Sequence, residues 1–143
     1  MRASSYIFRL AVVAMTACPL PAWAKDSLFV VITRSEPQVQ AMALILTQQA
    51  LERHTAVRVL LCGSGGDLAL NVYTGPTLQS SGRTAQQMLK GVIQGGAKVE
   101  LCQLYIANSD GKTAADLIQG VTVTTAPIIG EYMDQPDVRY FTF

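Results

Sequence analysis

The feature that most restricts the fold is a set of short apolar runs, β-rich and unbroken, separated by helical patterns. Leu28-Phe29-Val30-Val31-Ile32 carries no polar residue before Thr33. A strand of that kind is covered on both faces, as strands are in a parallel sheet between helical layers. Ser35-Glu36-Pro37 then starts a helix with proline in its first turn. From there to Arg53, residues Val39, Met42, Ala43, Leu46 and Ala50 form one apolar stripe. Leu44 and Leu51 lie about 120–140° away from it, which predicts either a neighbouring helix or a subunit interface. Val57-Arg58-Val59-Leu60-Leu61-Cys62 is the second strand.

Gly63-Ser64-Gly65-Gly66 interrupt the chain, and residues 67–82 show no clear period. Residues 68–73 are expected as a short helix and Gly75-Pro76 as a turn. A stretch this long without regular structure commonly builds a functional or oligomer-forming loop. Thr84 and Gln87 make a capping box for a helix running to Gln94, which Gly95-Gly96 stop. Residues 97–102 alternate, with Ala97, Val99 and Leu101 on one face and Lys98, Glu100 and Cys102 on the other. A helix from Thr113 to near Gly120, a strand at 121–123, a helix at 127–133 and a strand at 138–143 complete the series. This order predicts an α/β fold: a three-layer α/β/α sandwich on a mainly parallel five-stranded, Rossmann- or flavodoxin-like sheet. The strand order is left open.

The N-terminus reads as a signal. Arg2 and Arg9 precede an apolar stretch over 10–20, and Pro21-Ala22-Trp23-Ala24 supplies an A-x-A cleavage site before Lys25. The stretch is shorter than the roughly 20 residues a membrane span needs. Cys18 also permits a lipoprotein reading, but Met15 and Pro19 suit it poorly. The expectation is a signal peptide over residues 1–24 and a single domain over 25–143, exported and periplasmic, with no membrane span after cleavage. Losing Arg2 and Arg9 lowers the basic count from 11 to 9 against 10 acids, leaving a net charge of −1. No like-charge cluster points to nucleic acid or an anionic membrane.

Export removes Cys18 and leaves Cys62 and Cys102, both at carboxyl ends of predicted strands. Ligands gather at those ends in open parallel sheets. Cys102 shares its phase with Lys98 and Glu100, which predicts a reachable thiol, although free cysteines are often simply buried. If another strand lies between theirs, the two cysteines stand about 10 Å apart, too far for the roughly 7 Å Cα limit of a disulfide; a native bridge is therefore not expected. Gly63 and Gly65 could help cradle an anion, though the phosphate-loop spacings are missing, and a turn serves as well. Arg34, just past the first strand, could bind an anion or steady a thiolate. His54 reads as a solvated helix-end residue. Nothing predicts a metal site or a cofactor.

With Cys102 placed, Met88-Leu89-Lys90 followed by Gly95-Gly96-Ala97-Lys98-Val99-Glu100-Leu101-Cys102 resembles the helix–glycine–strand–cysteine core of the DsrE/DsrF-like family. Ala115 to Val123 resembles its short helix and Gly-Val strand, and Asp137 to Phe143 its closing strand. The resemblance spans the mature chain and is loosest in the glycine-rich middle. It implies the α/β/α fold and homo- or hetero-oligomers. At the position of Cys102 it implies a cysteine that carries sulfur as a persulfide between a donor and an acceptor protein. The sequence departs from the pattern at Tyr105, where many relatives place a second cysteine, and in being exported. Three readings follow: a persulfide carrier on Cys102, a non-catalytic oligomeric binding or assembly module, and a thiol–disulfide redox protein using Cys62 with Cys102.

Overall fold

The structure, a computed structural model, describes residues 26–143. The expected signal peptide and its cleavage point lie outside the described residues. Within them the chain runs β1 (Ser27–Ile32), α1 (Pro37–Glu52), β2 (Ala56–Leu61), β3 (Thr77–Leu78), β4 (Arg83–Thr84), α2 (Ala85–Gln94), β5 (Lys98–Cys102), α3 (Gln103–Ala107), β6 (Val121–Thr124), α4 (Ala126–Met133) and β7 (Val138–Thr142). Single 3₁₀ segments lie at Gly63–Ala69 and Ala114–Asp116.

Five strands form one sheet in the order β6-β5-β2-β1-β7, every pairing parallel. From β1 the chain steps one way to β2, β5 and β6, then returns across the sheet to β7 on the other side of β1. Right-handed crossovers put connections made in opposite directions on opposite faces. The first face accordingly carries α1, α2 and the segment before β6. There Val30, Ile32, Val59, Leu61, Val99 and Leu101 pack under Leu44, Leu89 and Val92. The second face carries α4, whose Ile129 and Tyr132 pack on Phe29, Leu60 and Val138. This is the three-layer sandwich that the apolar runs predict.

The second face differs from expectation at β5. Glu100, placed by its alternation on a reachable side, is 3% exposed, and its neighbour Arg58 is 7% exposed. The Arg58 guanidinium holds the Glu100 carboxylate through Nε and, at 3.0 Å, through Nη2. Lys98 Nζ adds a contact at 3.0 Å. Arg58 also lies 4.6 Å over the Tyr132 ring, and Tyr132 meets Phe29 edge-on at 5.4 Å. The single arginine in an otherwise apolar strand thus fastens α4 to the sheet.

The buried side of α1 is also turned from the expected stripe. Gln40, Ala43, Leu44, Thr47 and Ala50 are buried, whereas Met42 and Leu46 are 52% and 42% exposed. The helix packs against both the sheet and α2, so Leu44 and Leu51 face a neighbouring helix rather than a required subunit interface. In the middle segment the expected helix at 68–73 is replaced by the 3₁₀ run and an extended Leu70, which bridges Leu117. Gln86 Nε2 fixes that run by donating to Leu68 O and Leu70 O. Residues 68–70 therefore belong to the core instead of to a free loop. The helix expected from Thr113 shrinks to one 3₁₀ turn because Leu117 and Ile118 are drawn into the core as extended chain. The capping box of Thr84 and Gln87 is formed as expected.

A two-thiol edge beside a crevice of the sheet

Cys62 follows β2, its N–H donating to Ile32 O at 3.0 Å. Cys102 ends β5 and precedes α3. Because β2 and β5 are direct neighbours, with Leu61 opposite Leu101, the next residues along the register are Cys62 and Cys102. No strand lies between them, and the 10 Å separation considered from sequence does not arise. Adjacent strands lie about 4.8 Å apart, inside the Cα range that a disulfide spans. Both are free thiols and half-buried.

The two side chains interact. Burial, then a hydrogen bond and the charge of Cys102, push the Cys62 thiol from 9.0 to about 11, while the Gly63 backbone pulls the other way. Cys62 is therefore a neutral S–H over the ordinary pH range.

The glycines after Cys62 are placed by packing. A Cβ on Gly65 would lie 2.5 Å from Ile32 O, and one on Gly66 would lie 2.4 Å from the Tyr105 ring. Gly63 has φ +52°, the left-handed region that glycine enters freely. The Gly65 N–H donates to Thr33 O at 3.1 Å, so that amide is already partnered. Tyr105, at the position where many members of the resembled family carry a second cysteine, stacks on Gly66. Its hydroxyl donates to Asp67 Oδ1 at 2.5 Å. Burial, then that carboxylate, raise the phenol to about 12. Arg34 is exposed and its guanidinium meets Glu36 at 3.6 Å; its carbonyl accepts from Gln40 Nε2 at 2.7 Å. His54 is exposed with φ +60° at the end of α1.

On its other side Cys102 opens onto a crevice of about 620 Å³ between α3 and α4. The chain leaves β5 toward the first face, where Tyr105 and Ile106 join the core. It leaves β6 toward the second. A gap between adjacent strands whose connections part in this way is the usual ligand position in an open α/β sheet. Thr124, paired with Cys102 in the register, lines it. Sequence reasoning did not find Thr124, because its role depends on β6 lying next to β5. Among the described residues no cluster of three or more His, Cys, Asp or Glu is placed to hold a metal ion. No described helix is long and apolar enough to cross a membrane.

No protein-family model matches the chain, and neither does any curated protein. Among solved structures the chain is similar to MTH1491 from Methanobacterium thermoautotrophicum, described as a protein of unknown function. The TM-score is 0.60 at 14% identity, over 82% of this chain and 99% of that one. The similarity establishes a shared α/β fold.

Proposed function

We propose that this protein is a thiol-exchange protein in which Cys102 attacks a sulfur electrophile and Cys62 resolves the product. The observation that carries the reading is the placement of two free, half-buried thiols side by side at the ends of the directly paired strands β2 and β5. Attack by the Cys102 thiolate on a disulfide R–S–S–R forms Cys102–S–S–R and releases RS⁻. Cys62, once deprotonated, attacks the Cys102 sulfur and releases the second RS⁻. The protein dithiol is oxidised to a disulfide by two electrons, and the substrate is reduced to two thiols. Export to a compartment where disulfides persist suits this chemistry, and so does the signal-like N-terminus.

A persulfide carrier is the second reading, favoured by the resemblance of the Cys102 segment to the DsrE/DsrF-like family. The adjacent Cys62 weighs against long carriage. Cys102–S–SH and Cys62–SH can collapse to the internal disulfide with loss of H₂S. The two readings part in the intact mass after loading with a sulfane-sulfur donor. Exchange predicts loss of two hydrogens and release of sulfide, with a persulfide persisting only in Cys62→Ser. A carrier predicts a lasting gain of one sulfur in the unaltered chain. No change in mass, with Cys102 inert to alkylation, would sink both and favour the assembly module. That module would draw on the outward-facing Met42, Ile45 and Leu46 of α1.

A further inference from the structure

The crevice beside Cys102 has a specific chemical character. None of its lining residues, all within the described chain, is charged. Leu104, Ala107, Pro127, Ile129 and Met133 form an apolar trough, and Cys102 and Thr124 stand side by side at one end. Thr124 is 2% exposed and its Oγ1 has no hydrogen-bond partner. Buried hydroxyls are nearly always partnered; this oxygen is itself closed off from solvent, so a group in the crevice reaches it once the Thr124 side chain turns outward. The volume of about 620 Å³ falls within the range of small-molecule sites, roughly 300–1,000 Å³.

We propose that this crevice binds a low-molecular-weight disulfide with an uncharged, apolar body and a hydrogen-bonding group close to its sulfur. The inference rests on Cys102 being the attacking thiol. The apolar body lies along α3 and α4, its polar group meets Thr124 Oγ1, and one sulfur faces the Cys102 sulfur. Attack forms the mixed disulfide and expels the other half as a thiolate. That leaving half requires an open path, and the exposed Leu104 at 69% and Met133 at 48% mark the rim it crosses. A charged disulfide would lose its hydration on entry with no counter-charge to replace it, and so reacts poorly.

The test compares two chromogenic aromatic disulfides, neutral 2,2′-dithiodipyridine, whose ring nitrogen adjoins the carbon that bears sulfur, and dianionic 5,5′-dithiobis(2-nitrobenzoate). Each rate at Cys102, with the site assigned by peptide mass spectrometry, is divided by the rate with free N-acetylcysteine at the same pH. The neutral reagent is expected to be favoured at least tenfold after this normalisation. Leu104→Lys and Met133→Lys, both at exposed positions, supply the missing counter-charge and should abolish most of that preference. Thr124→Val should slow the neutral reagent while leaving the dianion unchanged. Equal normalised rates, or a preference that survives both charged variants, would overturn the inference and leave the exchange reading standing. Failure of Cys102 to react with either reagent, while reacting in urea, would overturn the exchange reading itself.

Discussion

Cys62 carries the sharpest consequence at the scale of single residues, because burial beside Cys102 holds its thiol neutral. Its alkylation rate should be low at pH 8 and climb until the pH reaches about 11. Cys102→Ser removes the hydrogen bond and the charge but not the burial, so the profile should shift back toward 9.0. The same shift sets a stability trend. A pKa raised on folding contributes stability that is whole below pH 9 and is lost as pH rises toward 11. Thermal melts of the reduced protein should show this decline, and Cys62→Ser should lack it. The glycines give a second expectation. Gly65→Ala drives a Cβ against the Ile32 carbonyl, which is backbone and cannot rotate away. Its cost should reach or exceed the upper end of the about 1–3 kcal/mol typical of overpacking. Gly66→Ala meets a movable ring, so it should cost less and should break the Tyr105–Asp67 bond. UV titration would then find a tyrosine falling from about 12 toward 10.

Among the elements, α4 depends on a charge pair beneath it. Burial works against the Glu100 charge, but hydrogen bonds from Arg58 and Lys98 outweigh it and hold the carboxyl below its ordinary 4.5. Stability from this group is therefore present above that value and drains away as pH falls through the lower folded one. Glu100→Gln strands the buried Arg58 charge and should cost about 3–5 kcal/mol in chemical denaturation. Replacing both by apolar residues, Arg58→Met with Glu100→Leu, should recover most of that loss; a double variant as weak as the single one would count against the account. The sequence made this element legible only in part. Continuous apolar runs marked β1 and β2, and Thr84 with Gln87 marked the start of α2, because strand burial and capping are local signals. The polar phase of Lys98, Glu100 and Cys102 misled, since a buried ion pair looks like a wet face until its partner strand is known. The turn of α1 was equally hidden, because Gln40 and Thr47 are buried and Met42 and Leu46 are not, against their ordinary preferences. The five-residue α3 was too short to show a period.

For the molecule as a whole, the strand order is what assembles the site. Both cysteines could be assigned to strand ends from the sequence, but their meeting required β2 beside β5, and the crevice required β6 beside β5 with connections leaving to opposite faces. Neither adjacency is encoded locally. The expected signal peptide is a separate matter of processing: it predicts a protein that begins at Lys25 by N-terminal sequencing, and retention of Met1 or an N-terminus at a lipidated Cys18 would contradict that expectation. A Cys62–Cys102 disulfide, as the exchange reading requires, would close a loop of about 40 residues, for which chain entropy gives a stabilisation of about 4 kcal/mol. The oxidised protein should accordingly melt higher than the reduced one. The most direct measurement is the amount of thiol released when the reduced protein, residues 25–143, meets excess aromatic disulfide. Pairing predicts two equivalents released per unaltered chain with no reagent retained, and one equivalent with the adduct retained in Cys62→Ser. A retained adduct on Cys102 of the unaltered chain would show that the two thiols do not act together.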